Sequence, residues 1–284
     1  MERMNILYRG PLSSCNYECS YCPFAKRQET TEELSHDREC LQRFLDWLKE
    51  RSTRLHGIFF TPWGEALTRR WYRDAIVTIS NWDHIERVAI QTNISVKLDW
   101  LSEARLERVG LWCTYHPSEI SRDRFLSQCK TLDRLGARYS VGMVGSVGNV
   151  TEMERMRDAL PKGVYLWINA MKSSVEQYDE NVIDQFTKID PNFPTNNTYH
   201  TSLGEACNTG QSVVSIDGDG NVRRCHFVKR TLGNIYEQEL ESMLSPRPCP
   251  NSSCGCHIGY VHMPKLGLEK IYGRNILERI PVDR

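Results

Sequence analysis

"NILYRGPLSSCNYECSYC", residues 5–22, decides how the rest of this chain is read. Its first six residues form an apolar, β-prone run that ends on glycine. Its last eight place three cysteines, Cys15, Cys19 and Cys22, on the loop that leaves this predicted strand. Thiols so close in sequence point to a metal centre if the chain stays reduced, and the remaining sequence bears on that condition.

The chain has 284 residues, with 36 Lys and Arg balancing 36 Asp and Glu. Zero formal charge argues against a polyanion, so nucleic acid is not an expected partner. The opening MERMNILYRG carries charges throughout and has no apolar h-region, so it does not read as a signal peptide. No apolar run reaches the roughly 18 residues of a spanning helix, so no membrane partner is expected and the cytoplasm is the expected compartment. Eleven cysteines there are not a disulfide framework. Cys40, Cys113 and Cys129 are solitary among apolar neighbours and read as small buried hydrophobes. The others form two groups, Cys15–Cys22 and Cys207, Cys225, Cys249, Cys254 and Cys256.

Between residues 4 and 190, β-prone runs at 5–10, 57–62, 87–93, 110–116, 138–144 and 164–170 alternate with helical patterns at 40–52, 69–82, 98–109, 122–135 and 151–160. In the fourth of these, Phe125, Cys129, Leu132 and Leu135 recur at three- and four-residue steps, as one buried helical face requires. Gly110, Gly136 and Gly163 each precede a strand and read as helix-ending glycines. Strands alternating with helices give an α/β fold with a parallel sheet and right-handed crossovers. Six units are too few for an eight-stranded barrel, leaving a partial (β/α)6 barrel or a doubly wound sheet. In both, chemistry collects at the carboxyl ends of the strands.

Residues 191–202 are rich in Pro, Asn and Thr and read as a linker. Residues 212–228 read as a β-hairpin around DGDG, and 237–244 as a short helix. The expected division is 1–194 and 195–284, the second part a small module whose thin core a metal centre would cross-link.

Cys is the usual ligand of iron–sulfur clusters, and three thiolates leave one iron of a [4Fe–4S] cubane open. CX₃CX₂C with Tyr21 before the last cysteine resembles the cluster motif of the radical S-adenosylmethionine (radical SAM) superfamily. The resemblance implies a partial TIM-like barrel and a [4Fe–4S] cluster on Cys15, Cys19 and Cys22. It also implies SAM on the open iron and a 5′-deoxyadenosyl radical that abstracts hydrogen from substrate. TPWGEA (61–66) resembles the family's Gly-Gly-Glu segment: Gly64 and Glu65 match, and Trp63 stands in place of the first glycine. IQTNIS (90–95) resembles its Thr-Asn segment, which makes Gln91, Thr92 and Asn93 cofactor-site candidates. On strand four, Thr114 and His116 occupy the places of the family's Ser-x-Asp, with His116 a candidate catalytic acid or base. Arg122 and Asn169 are further candidates for contact with SAM, Arg122 by bidentate pairing with its carboxylate.

CNTGQSVVSIDGDGNVRRC (207–225) resembles the first half of the SPASM or twitch modules of these enzymes. Five cysteines favour the twitch type, with one auxiliary [4Fe–4S] cluster on four of Cys207, Cys225, Cys249, Cys254 and Cys256. Zinc is the competing ion. In the loop it would take His36 folded back as fourth ligand, and in the module His257 beside Cys249, Cys254 and Cys256. The implied partners are a flavodoxin- or ferredoxin-type electron donor and a substrate. The early cluster loop leans toward a small molecule or a short peptide. The alternative to an enzyme is an iron–sulfur protein for electron transfer or redox sensing.

Overall fold

The computed structural model describes residues 4–24, 27–51, 53–172 and 178–283. Six strands, β1 (Asn5–Arg9), β2 (Gly57–Phe60), β3 (Val88–Thr92), β4 (Val109–Tyr115), β5 (Arg138–Gly145) and β6 (Leu166–Ala170), lie side by side in sequence order. Every adjacent pair is parallel. A doubly wound sheet reverses its strand order at a switch point, and this one does not, so the partial-barrel expectation holds.

The helices are α1 (Thr31–Glu50), α2 (Arg70–Ser80), α3 (Arg122–Leu135), α4 (Val150–Ala159) and α5 (Glu180–Ile189). α1 starts well before residue 40 because Thr30 and Glu33 form a reciprocal capping box. α3 buries Phe125, Cys129 and Leu132, and Gly136 closes it at φ +70°. Gly110 and Gly163 do not repeat that role: Gly110 lies inside β4, and neither has positive φ. The helix expected over 98–109 is two 3-10 turns, Asp99–Glu103 and Leu106–Arg108. α2 captures backbone groups of this segment: the Arg105 amide donates to Ser80 Oγ (3.0 Å), and Asn81 Nδ2 donates to the Glu103 carbonyl (3.2 Å). Those bonds replace the i→i−4 ladder.

The residues read as a linker form a one-turn helix, α6 (Phe193–Asn196), and strand β7 (His200–Thr201). The expected hairpin is β8 (Val213–Asp217) and β9 (Asn221–Arg223), continued by β10 (Thr231–Asn234). It is not a separate sheet. β8 pairs with β1 in parallel, so one sheet of nine strands runs β10-β9-β8-β1-β2-β3-β4-β5-β6. The helix expected over 237–244 is a single 3-10 turn, Leu240–Met243. β11 (Ser253–Cys254) pairs with β7, and α7 (His257–Tyr260) and α8 (Leu268–Tyr272) follow.

Strand alternation sorts the core into two layers. Ile6, Tyr8, Ile58, Phe60 and Ile90 face the helices, and Leu7, Phe59, Ala89, Trp112 and Trp167 face the interior. The C-terminal segment fills that interior with Ile258, Tyr260, Met263, Leu268, Tyr272 and Leu277. The module therefore shares the barrel's core, and the expectation of a thin core of its own is corrected. Glu278, fully buried, pairs with Arg87 (2.5 Å) and Arg138 (3.1 Å). Arg279, also buried, lies over the rings of Trp167 (4.6 Å) and Trp112 (5.6 Å).

Candidate cluster-binding and cofactor site

The loop after β1 is anchored before its first cysteine. Leu12 N donates to Asp37 Oδ1 on α1 (3.1 Å), and Ser13 N donates to Glu29 Oε1 (2.8 Å). Ser14 donates through both its amide and its hydroxyl to Glu29 Oε2. The three cysteines then wrap the carboxyl end of β1, Cys19 buried and Cys15 and Cys22 half-buried. Cys15 Sγ accepts from the Tyr17 amide at 3.4 Å. Burial pushes the Cys19 thiol up to about 11 and raises Cys15, and neighbouring thiolates add to both shifts. Such a set ionises readily only when a cation arrives among the sulfurs, as metal ligation provides.

His116, at the end of β4, meets this loop directly. Its Nδ1 is 2.7 Å from the Tyr21 hydroxyl and 3.4 Å from Cys19 Sγ, and the Tyr21 ring stacks on it. Burial lowers its pKa to about 4, which leaves the imidazole neutral near pH 7. Tyr21 and His116 thus form a wall beside Cys19.

Gly64 is where the loop after β2 touches the cysteine loop. A Cβ there would lie 1.8 Å from the Ser14 carbonyl oxygen, so only glycine permits this approach. The next residue, Glu65, donates its amide to that same oxygen (3.1 Å). The Glu65 carboxylate is buried and accepts from Thr92 Oγ1 (2.9 Å), Leu67 N (3.0 Å) and Asn93 N. Burial still raises its pKa to about 7 against those three donors. Asn93 reaches onward, its Nδ2 donating to Asn16 Oδ1 (3.1 Å) inside the cysteine loop. Gly64, Glu65, Thr92 and Asn93 therefore brace the loop as a unit. Trp63 is exposed, with Arg9 over its ring (4.1 Å) and Phe24 against it (4.8 Å).

Gln91, Thr114 and Asn169 lie on the inner-facing side of β3, β4 and β6, because each is two residues beyond an interior residue, Ala89, Trp112 and Trp167. Gln91 and Thr114 are half-buried, and Asn169 is exposed, lining a cavity shared with the C-terminal cysteines. Arg122 does not join them. Its Nη1 pairs with Glu152 Oε2 on α4 (2.8 Å), beside Tyr115 of the helix-facing layer, so its guanidinium is held by a carboxylate of this chain.

All five C-terminal cysteines line one cavity of about 370 Å³, together with Asn169 and Lys172. Burial and the thiolates of Cys225, Cys256, Cys207 and Cys249 push Cys254 up to about 12. Burial and the thiolates of Cys207 and Cys249 push Cys225 to about 11. Cys256 differs: it lies at the exposed edge of the cavity, and although desolvation by its surroundings raises its thiol, the Ile258 amide and the cations Arg9, Lys172 and Arg279 pull the other way. Arg224 joins the two halves of the module, donating to Thr209 Oγ1 and to the Arg247 carbonyl (2.9 Å).

Neither zinc alternative is assembled as a ligand set among the described residues. A tetrahedral zinc ion with Zn–S bonds of about 2.3 Å holds its sulfurs about 3.8 Å apart. Among the described residues, no three cysteine sulfurs lie within 4.8 Å of one another. His257 is buried against Trp112, Tyr260 and Tyr272 inside the barrel, and His36 faces Cys40 on α1.

Sequence reasoning missed Glu29, Asn16 and His226. His226 follows Cys225 and bridges Thr61 Oγ1 at the end of β2 (2.9 Å) and Ser215 Oγ on β8. Its place directly after a cysteine was the available signal.

No protein-family model matches the sequence, and no curated protein does. Solved structures do match. Streptococcus suis SuiB superposes with a TM-score of 0.60 at 12% identity over 86% of this chain, and its S-adenosylmethionine-bound form with 0.56 at 11%. The chain spans 66% and 64% of those two SuiB chains. The anSMEcpe structure with bound AdoMet gives 0.56 at 13% identity over 86% of this chain and 81% of that one. A second, with AdoMet and the Kp18Cys peptide, gives 0.57 at 12% identity with the same coverage. With its three-cysteine loop at the mouth of six parallel strands in sequence order, the chain has the fold of the radical SAM superfamily.

Proposed function

We propose that this chain is a radical SAM enzyme with a second iron–sulfur cluster in its C-terminal part, residues 195–284. The observation that carries the reading is the loop of Cys15, Cys19 and Cys22 at the carboxyl end of β1, facing the same barrel mouth as the five-cysteine cavity. A [4Fe–4S] cluster held by Cys15, Cys19 and Cys22 would supply the one-electron reduction that cleaves SAM to methionine and a 5′-deoxyadenosyl group able to take a hydrogen atom from substrate.

The chain's own residues bind, orient and shield. Cys15, Cys19 and Cys22 hold the cluster, and Ser14, Gly64 and Glu65 hold the loop. Gln91 and Thr114 offer polar groups on the inner face where SAM would lie. Tyr21 and His116 close the side of Cys19. Trp63, Phe24 and Arg9 form an apolar and cationic rim, and Trp112 and Trp167 close the floor, so water is excluded from both sides. Cys207, Cys225, Cys249 and Cys254 are the preferred ligands of the second cluster, because Cys256 is the one exposed cysteine of the five. Cys256, among cations, is the spare thiol. A flavodoxin or ferredoxin would deliver the electron. The substrate would be a small molecule or a short peptide, and its oxidation or a new bond would follow.

The test is anaerobic reconstitution with iron and sulfide, then SAM and dithionite. Wild type releases 5′-deoxyadenosine. Cys19→Ala releases none, and Cys225→Ala keeps part of the cleavage but loses product formation. A Cys19→Ala protein that cleaves SAM as well as wild type ends this reading, and clusters without any cleavage favour an electron-transfer or redox-sensing protein.

A further inference from the structure

Away from both cysteine sites, another set of side chains brings its ligand atoms together. His36 and Cys40 stand one turn apart on α1, and Asp219 approaches from the turn between β8 and β9. The ligand atoms of all three lie within 4.8 Å of one another. His36 Nε2 is 3.6 Å from Cys40 Sγ. A tetrahedral zinc ion, with bonds of about 2.0 Å to nitrogen and about 2.3 Å to sulfur, spaces those atoms by about 3.5 Å. The helix therefore already holds this nitrogen and sulfur at the edge length of a zinc tetrahedron.

The third residue is placed to complete it. The Asp219 backbone is fixed by the turn, its amide donating to Asp217 Oδ1 (3.1 Å) and its carbonyl accepting from Asn234 Nδ2 (3.0 Å). Its side chain is exposed, so a rotation about χ1 moves the carboxylate without moving the turn. Gly218 lets the turn descend on the helix: a Cβ there would lie 3.2 Å from Cys40 Sγ and 2.7 Å from Pro11 Cδ. Arg43, the cation nearest in sequence on this helix face, is stacked on Tyr236 with its guanidinium carbon 3.6 Å from the ring centroid.

We propose that His36, Cys40 and Asp219 form a separate metal site that takes a single zinc(II) ion, with water as its fourth ligand. The mixed sulfur, nitrogen and oxygen set suits zinc, whereas magnesium and calcium take oxygen ligands. The ion clamps the β8–β9 hairpin, which leads into Cys225, onto α1. One position along the helix from His36, Asp37 holds the Leu12 amide at the root of the first cysteine loop. Zinc here braces both cysteine-bearing segments from outside the barrel mouth, and the assignment is independent of any radical chemistry.

The test uses the full chain with its iron sites loaded, dialysed against a chelator-buffered zinc solution, with zinc and iron measured per chain. Wild type retains one zinc. His36→Ala and Asp219→Ala alter exposed side chains, so iron content stays at the wild-type value while zinc affinity falls about tenfold or more. Cys40→Ser lowers it too, and the two exposed variants carry the test should that buried change disturb folding. A wild type that retains no zinc overturns the assignment, as does equal zinc affinity in wild type and either exposed variant. An iron deficit in wild type counts against the cluster reading and leaves this zinc comparison intact.

Discussion

Replacing Gly64 with alanine tests the joint between the cysteine loop and the loop after β2. The added methyl would stand 1.8 Å from the Ser14 oxygen, 2.4 Å from its carbonyl carbon and 3.2 Å from the Cys15 amide nitrogen. A Cβ essentially never approaches such atoms within 3.0 Å, so the loops must part by at least about 1.2 Å. The obstacle is backbone on both sides, and no side-chain rotation relieves it. Parting breaks the 3.1 Å bond from Glu65 N to Ser14 O and moves the residue before Cys15. Overpacking costs about 1–3 kcal/mol, and a buried carbonyl left without its donor about 1–3 kcal/mol more. Gly64→Ala should therefore lose about 2–6 kcal/mol in urea unfolding of the reduced, cluster-free chain. It should also take up less iron on reconstitution than wild type. Gly163→Ala is the control, since a Cβ there meets nothing within 4 Å and φ is not positive. That variant should stay within about 0.5 kcal/mol of wild type. The reasoning is refuted if Gly64→Ala matches Gly163→Ala in both stability and iron uptake.

Two further outcomes follow from the second cysteine cavity and the barrel floor. Cys254→Ala should lower iron per chain by about half, as loss of one of two like clusters requires, whereas Cys256→Ala should keep the wild-type value. Equal losses in the two variants would put Cys256 back among the ligands. Glu278→Ala should destabilise the chain by about 3–5 kcal/mol in urea unfolding, because it strands the partly buried Arg87 and Arg138 without their carboxylate. A loss below about 1 kcal/mol would show that the C-terminal segment does not anchor the barrel.

Short-range chemistry made much of this protein legible without coordinates. Apolar runs at strand spacing and the 125–135 helical face report local burial, which depends on side-chain period alone. The position of Cys15–Cys22 after the first strand put those thiols at a carboxyl-end loop for the same reason. Where distant groups compete for the backbone, the reading failed: Ser80 and Asn81 take the polar groups that a helix over 98–109 would have used.

The ligand surroundings needed the folded chain, because they are made by contacts between residues far apart in sequence. Gly64 reads as a cofactor contact in isolation, and the fold also makes it the point where two loops meet. Arg122 looks free and is engaged by Glu152. Nothing local announces that residues 257–279 fill the barrel, since their apolar residues are scattered and a charged residue such as Arg279 is ordinarily expected outside. An open six-stranded barrel leaves an apolar inner face that must be covered. Which segment covers it, and which side chains then meet at the five-cysteine cavity, is settled by three-dimensional packing.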